Sequence, residues 1–311
     1  MSYAPATHRD GFRPDGSLTP ELGARLANVR HVITDFDGTM LTGAKALVNS
    51  SGAPSASLVE VLVDLARAGI DVIPCSGRNR SMTLEDARLL NLPGWIAEMG
   101  GILCTHQSAN PEWCYYTADM PYTEGGLKTP HDLICETGVI DEILEAHPGH
   151  IETYHDNYVG YEYREVTVAL RGDVPAAQIQ ALLDQASLPL YLSDNGFVRR
   201  ISGETTLDCD LDHPKGVHTY HVMPRGLTKG TGIKRFLEIR GWDPDECLAL
   251  GDSPADCEMA DAVGTFMFMA NGLDHPSALA EIGARDNIYL SQLPATDGFV
   301  QAMQALLDVQ A

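Results

Sequence analysis

Apolar residues recur along the chain with two alternating periods. Short, mostly apolar runs such as "HVIT", "IDVIPC", "WIAEM", "CLALG" and "TFMFMA" predict strands buried on both faces. Between them, apolar residues return at helical spacing. Leu58, Val61, Leu62 and Leu65 in "SLVEVLVDLARAG" predict a helix that stops at Gly69. Upstream, Thr19 as cap and Pro20 at the first helical position predict a helix carrying Leu22 and Leu26. "SMTLEDARLL" continues the helix–strand rhythm, and "GILCT" with "EWCYYT" predicts a hairpin.

From about residue 121 the rhythm changes. A helix around 130–146 leads into "HIETYHDNYVGYEYREVTVALRG", which is rich in β-branched and aromatic residues. A helix with Ile179, Leu182 and Leu183 follows, then two short strands around an "SDNG" turn and a strand pair ending near "GVHTYHVMP". Locally paired strands with helices predict an antiparallel α+β module. From Gly226 the first rhythm resumes: helix "KGTGIKRFLEIRG", strand "CLALG", helix "PADCEMADA", strand "TFMFMA" and a last helix after Asp297. The expected architecture is α/β. A doubly wound, mostly parallel Rossmann-like core over residues 1–120 and 223–311 (1–28 as an N-terminal extension) is interrupted by an inserted α+β domain over 121–222.

A length of 311 residues accommodates two domains, and 44% hydrophobic with 21% charged residues suits a chain with a real core. Charge alters the picture. Forty-three acidic residues against twenty-one Lys and Arg give a formal net charge of −22, which argues against nucleic acid or an anionic membrane as partner. An anionic ligand would need a local cationic site. Seven cysteines, none spaced C-x-x-C, fit neither a disulfide framework nor a zinc ligand set. Residues 1–30 contain no apolar signal core, and no run of eighteen apolar residues occurs, so a cytoplasmic protein is expected.

The candidate chemistry sits where predicted strands end. Asp35 and Asp37 straddle Phe36 after "HVIT", and Gly38 lets the chain turn. Ser76 follows "VIPC", Asp252 follows "CLALG", and Lys229 opens the helix before that strand. Strand ends of one polarity form one edge of a doubly wound sheet, so these polar groups converge at one crevice. Carboxylates at 35, 37, 252 and 256 suit a hard, oxygen-seeking cation such as Mg²⁺. Lys229 and the Ser76 hydroxyl suit phosphate oxygens. One aspartate of the pair can then attack phosphorus while the other handles the proton.

Together "DFDGT" (35–39), "PCSGR" (74–78), Lys229 in "GLTKG" and "GDSPAD" (251–256) resemble the four ordered motifs of the haloacid dehalogenase superfamily of phosphohydrolases. "EMGG", the α+β insertion and "FMFMANG" resemble its Cof-type branch, which includes sucrose-phosphate and mannosyl-phosphoglycerate phosphatases. The resemblance implies Asp35 as nucleophile and metal ligand. It implies Asp37 as general acid/base, lending its carbonyl to the metal, and Asp252 as metal ligand with Asp256 supporting the metal site. Ser76, Lys229, Thr39 and Arg78 are implied around the phosphate. It further implies Mg²⁺, a small phosphorylated metabolite (a sugar phosphate or phosphorylated sugar acid), and a cap that closes over the site and selects the leaving group. Ala255 stands where the branch usually has Asn, and Asn271 or water is expected to replace the lost amide.

Arg164, Arg199 and Arg200 are the expected substrate contacts of the inserted domain. His147/His150 enclose a Pro-Gly turn, and His218/His221 point oppositely in a strand, so neither pair predicts a metal site. Two alternatives share the motifs: a phosphomutase of similar capped fold, and a ligand sensor without turnover.

Overall fold

The computed structural model describes residues 9–154, 163–198, 205–209, 217–275 and 277–311. The chain divides into two compact units. The first comprises Met1–Ser76, Thr83–Trp113 and Thr228–Ala311, and the second Gly77–Met82 with Cys114–Leu227.

In the first unit, β1 (His31–Thr34) pairs in parallel with β2 (Asp71–Pro74). The chain goes on through α3 (Arg80–Leu89), which follows α1 (Pro20–Leu26) and α2 (Ser57–Ala68), to a small antiparallel pair, β3 (Trp95–Ala97) and β4 (Ile102–Cys104). The first helix has the expected cap, with the Thr19 hydroxyl accepting from Leu22 N and Pro20 opening it. The second ends at Gly69 with φ +75°, a left-handed stop that only glycine adopts without strain.

The second unit begins with the short strand β5 (Cys114–Tyr115). It then forms a four-stranded antiparallel sheet of order β6-β7-β9-β8, from Ile151–Thr153, Val168–Gly172, Val217–Pro224 and Leu190–Val198. Helices α4 (Pro130–Glu136), α5 (Val139–Ala146) and α6 (Ala176–Leu183) cover one face. Ile134, Ile143, Ile179, Leu170, Tyr220 and Val222 lie in its buried core. The single helix expected over 130–146 is two, because Gly138 at φ +81° breaks it and starts α5. The two strands expected around "SDNG" are one. Asn195 and Gly196 bulge opposite Thr219, since Asp194 pairs with Tyr220 and Phe197 with His218.

This unit extends past the expected 121–222. Arg164 donates to the Gly77 carbonyl at 2.8 Å, and Arg80 pairs with Glu165 at 2.7 Å, which ties Gly77–Met82 to it.

Back in the first unit, α7 (Lys229–Arg240) precedes β10 (Cys247–Gly251), β11 (Thr265–Phe268), α8 (Ala278–Gly283), β12 (Ile288–Leu290) and α9 (Ala295–Gln310). The "PADCEMADA" stretch, expected as a helix, runs as 3₁₀ turns over Pro254–Asp261. The five-stranded sheet has the order β12-β11-β10-β1-β2, all parallel and almost entirely buried, as a sheet covered on both faces must be. The α/β, doubly wound expectation holds. Strand β1 lies at the switch point: the chain first adds β2 on one side and later returns to add β10 on the other. The crevice of such sheets opens at the carboxyl ends of the strands flanking that point.

One packing contact sets how closely α7 approaches the turn after β3. A Cβ on Gly232 would lie 2.5 Å from Gly100 Cα and 2.6 Å from Gly100 O, so the helix and the turn after β3 meet backbone to backbone. In an exposed helix Gly→Ala stabilises by about 1 kcal/mol. For Gly232→Ala we expect the opposite sign, a loss of about 1–3 kcal/mol from overpacking. Urea unfolding of the two proteins at one pH measures it.

Candidate active site

Beyond Thr34 the chain leaves the sheet in a tight turn. Asp35 N donates to Leu250 O at 2.9 Å, which holds Asp35 beside the end of β10, and Leu41 N donates back to Phe36 O at 2.7 Å. Phe36 is buried. Gly38 has φ +83°, and a Cβ there would run into the Asp252 carboxylate. The turn and the residue after β10 are therefore packed too closely for any other residue. Thr39 Oγ1 donates to Asp252 Oδ1 at 3.2 Å.

Lys229 enters from the first turn of α7, whose start is set by reciprocal bonds. Thr228 Oγ1 accepts from Thr231 N at 3.1 Å, and Thr231 Oγ1 accepts from Thr228 N at 2.8 Å. The Lys229 ammonium donates to Asp35 Oδ1 at 2.7 Å and to Asp256 Oδ1 at 2.6 Å, with the side chain 5% exposed. Asp256 is held in turn by the loop after β10. Its Oδ2 accepts from Asp252 N at 3.2 Å, Ser253 N at 2.9 Å and Ser253 Oγ at 2.8 Å.

The electrostatics are short of positive charge. Burial pushes Asp35 up to about 7, against the pull of Lys229 and with help from Asp256. Burial also pushes Asp252 up to about 8, and the Asp256 and Asp35 carboxylates add to the rise. Burial alone would strip the Lys229 proton, but Asp256 and Asp35 reverse that and hold it well above its ordinary value. Neighbouring Cys75 is buried, and its thiol is pushed up, so no thiolate competes as nucleophile. One oxygen from each of Asp35, Asp252 and Asp256 lies within 4.8 Å of the others. Three hard oxygen donors with one ammonium among them fit a divalent cation.

Asp35, Thr39, Lys229, Asp252 and Asp256 are brought together. Asp37 follows in the turn and is exposed, with Gly38 N donating to Leu41 O behind it. Ser76 is buried at the end of β2, where Cys75 N bonds Thr34 O and Met99 N bonds Ser76 O. Arg78 lies in the Gly77–Met82 segment of the second unit. Arg164 is 3% exposed, with its guanidinium on Thr167 Oγ1, Gly77 O and His221 Nδ1. Arg199 and Arg200 lie outside the described residues. His150 pairs with Asp173 and His218 with Asp194. Ser253 was not picked out from the sequence, although the S-x-x-D spacing to Asp256 is a capping-box signal.

The raised carboxyls set a pH dependence. In the unfolded chain Asp35 and Asp252 ionise near 3.8, and in the folded, metal-free protein near 7 and 8. The folded state thus binds more protons between these values, so stability falls as pH rises through them. A divalent cation needs the ionised carboxylates and meets less proton competition at high pH. We expect the rise in Tm on adding a divalent cation, relative to EDTA, to be larger at pH 8 than at pH 6. Thermal melts in matched buffers check this, and an equal or smaller rise at pH 8 would contradict it.

Residues 213–287 match the family model of haloacid dehalogenase-like hydrolases. The phosphoglycolate phosphatase of Methanoculleus marisnigri is 24% identical over 277 residues, spanning 89% of this chain and 96% of its own. That of Natronomonas pharaonis is 32% identical over 146 residues, spanning 47% of this chain and 51% of its own. Among solved structures, the sucrose-phosphatase of Synechocystis superposes with a TM-score of 0.58 at 12% identity, covering 90% of this chain and 98% of its own. A haloacid dehalogenase-like hydrolase of B. subtilis gives 0.56 at 16% identity, covering 89% and 99%. These structures share the fold. In fold, in the order of its aspartates and lysine at one sheet edge, and over residues 213–287, the chain is similar to the haloacid dehalogenase-like hydrolases.

Proposed function

We propose that the chain is a Mg²⁺-dependent phosphatase of a small phosphorylated metabolite, working through an aspartyl-phosphate on Asp35. The observation that carries this is the Lys229 ammonium bridging Asp35 and Asp256 beside Asp252, at the switch point of the sheet. It holds a buried carboxylate at a strand end with cationic support on one side and room in the charge balance for a cation on the other.

Asp35 is assigned as nucleophile: one carboxylate oxygen bonds to phosphorus as the ester P–O bond breaks. Asp37, exposed and two residues on, is assigned as the acid that protonates the leaving oxygen. In the second half it takes a proton from water as that water attacks phosphorus, and the Asp35–phosphorus bond breaks to release phosphate. Ser76, Thr39 and Arg78 are assigned to the phosphate oxygens, with Lys229 countering charge on Asp35 and phosphate. Mg²⁺, held by Asp35, Asp252 and the Asp37 carbonyl with Asp256 in support, would neutralise charge developing on the phosphoryl group.

We assign the chemistry to the α/β core at 1–120 and 223–311 and the choice of ester to the α+β domain at 121–222. A small phosphorylated acid heads the substrate list, because relatives aligned over most of the chain are named phosphoglycolate phosphatases. Sugar phosphates and phosphorylated sugar acids follow. All seven cysteines are free, which supports a cytoplasmic setting, and among the described residues no helix is long and apolar enough to cross a membrane.

The test is phosphate release from phosphoglycolate, sugar phosphates, sugar-acid phosphates and nucleotides, with Mg²⁺ and with EDTA. Asp35→Asn should lose roughly 10³-fold or more in kcat, and Asp37→Asn about 10²–10⁴-fold, with Tm retained. EDTA should stop release and Mg²⁺ restore it. Turnover that survives Asp35→Asn or EDTA would sink the mechanism.

A further inference from the structure

Asn271 follows β11 in the turn Ala270–Asp274 and reaches three separate segments. Its Nδ2 donates to Asp252 Oδ2 at 2.9 Å and to Gly38 O at 2.9 Å. Its Oδ1 accepts from Ala295 N at 2.8 Å, at the start of α9. That last bond settles which way the amide points, because a backbone N–H requires an oxygen opposite it. The NH₂ must then face Asp252 and Gly38, two acceptors. A carboxylate or an apolar group at 271 could not serve both sides.

The residue is fixed in place before it orients anything. Met269 N bonds Gly251 O at 2.9 Å, and Ala270 N bonds Ser291 Oγ at 2.9 Å. A Cβ on Gly272 would overlap the Asp252 carbonyl, so the turn lies directly against the backbone of the residue it serves. Asp252 consequently has both oxygens addressed: Oδ1 by the Thr39 hydroxyl and Oδ2 by the Asn271 amide. Each donor leaves its oxygen further lone-pair capacity, so the carboxylate is oriented without being used up. The same amide pins the Gly38 carbonyl, one residue after Asp37.

We propose that Asn271 is a positioning residue for cation binding: it sets the Asp252 carboxylate and the turn after Asp35 in the geometry that takes up the divalent ion. This rests on the Mg²⁺ assignment above. It needs no contact between Asn271 and substrate or metal. Groups that hold a metal-ligating carboxylate in place typically change affinity or activity by about 10–100-fold when removed.

The start of α9 supplies a control. Ser50 Oγ donates to Pro294 O at 2.6 Å and accepts from Asp297 N at 2.9 Å, bracing the same helix without touching Asp252. Ser50→Ala should loosen that region and leave the carboxylate alone. The experiment is calorimetric titration of the EDTA-treated, dialysed full chain with MgCl₂, without substrate, alongside the Mg²⁺ dependence of phosphate release. Asn271→Ala, and Asn271→Ser as a second variant too short to reach Asp252, should each need about tenfold more Mg²⁺ or more in both measurements. Ser50→Ala should titrate like wild type.

Unchanged Mg²⁺ affinity in the Asn271 variants, with wild type binding normally, would overturn this proposal alone. An equal loss in Ser50→Ala would overturn it too, by showing that general loosening of the α9 start is enough. No uptake by wild type would overturn it together with the Mg²⁺ assignment.

Discussion

A buried ammonium between two carboxylates organises the first unit. Placing Lys229 among Asp35 and Asp256 takes three charges out of water, which costs several kcal/mol per ion before any attraction is counted. Lys229 is also a cation at the first position of a helix, where the backbone dipole disfavours it by about 0.3–1 kcal/mol. Stability alone would not select such an arrangement. The chain invests in it structurally: Gly232 and Gly100 let α7 approach the turn after β3, the Thr228–Thr231 box fixes the helix start, and the Ser253–Asp256 box presents the second carboxylate. Removing Lys229 would strand the buried carboxylates at a cost of about 3–5 kcal/mol, so fold and site are held by the same contacts.

The cluster still carries more negative than positive charge. Burial answers this by raising Asp35 and Asp252 toward neutrality, which would leave a proton where a nucleophile or ligand is wanted. A divalent cation would resolve the conflict without a proton. It would also reconcile the proposed anionic substrate with a chain of net charge −22: attraction would have to come from the site itself, because the surface field opposes it.

Much of this was legible in the sequence because it depends on local periodicity. β1, α2, β10, β11 and α7 follow from apolar spacing and caps, and placement at strand ends for Asp35 and Asp252 and at a helix start for Lys229 brings all three to one edge. What was not legible depends on contacts distant in sequence. A bulge at Asn195–Gly196 is set by pairing with β9, not by the strand's own period. Residues 77–82 leave the first unit because Arg164 and Glu165, more than eighty residues away, hold them. The partners of Arg164 were likewise beyond local reading: its buried guanidinium engages Gly77, Thr167 and His221 within its own unit.

The departure at Ala255 shows how the site tolerates change in one motif. The loop after β10 closes through Ser253 and the Asp256 carboxylate, so its shape does not require an amide at 255. Hydrogen-bond donation to the Asp252 side chain comes from Thr39 on one side and Asn271 on the other, segments separated from it by 213 and 19 residues. A carboxylate oriented by donors from independent segments loses only part of its restraint when one segment drifts. The glycines at 38 and 272 have no such latitude, since each lies where a single added carbon would displace Asp252 itself. In this chain the constraint on the acidic cluster therefore resides as much in the space around Asp252 as in the charged residues that define the motif.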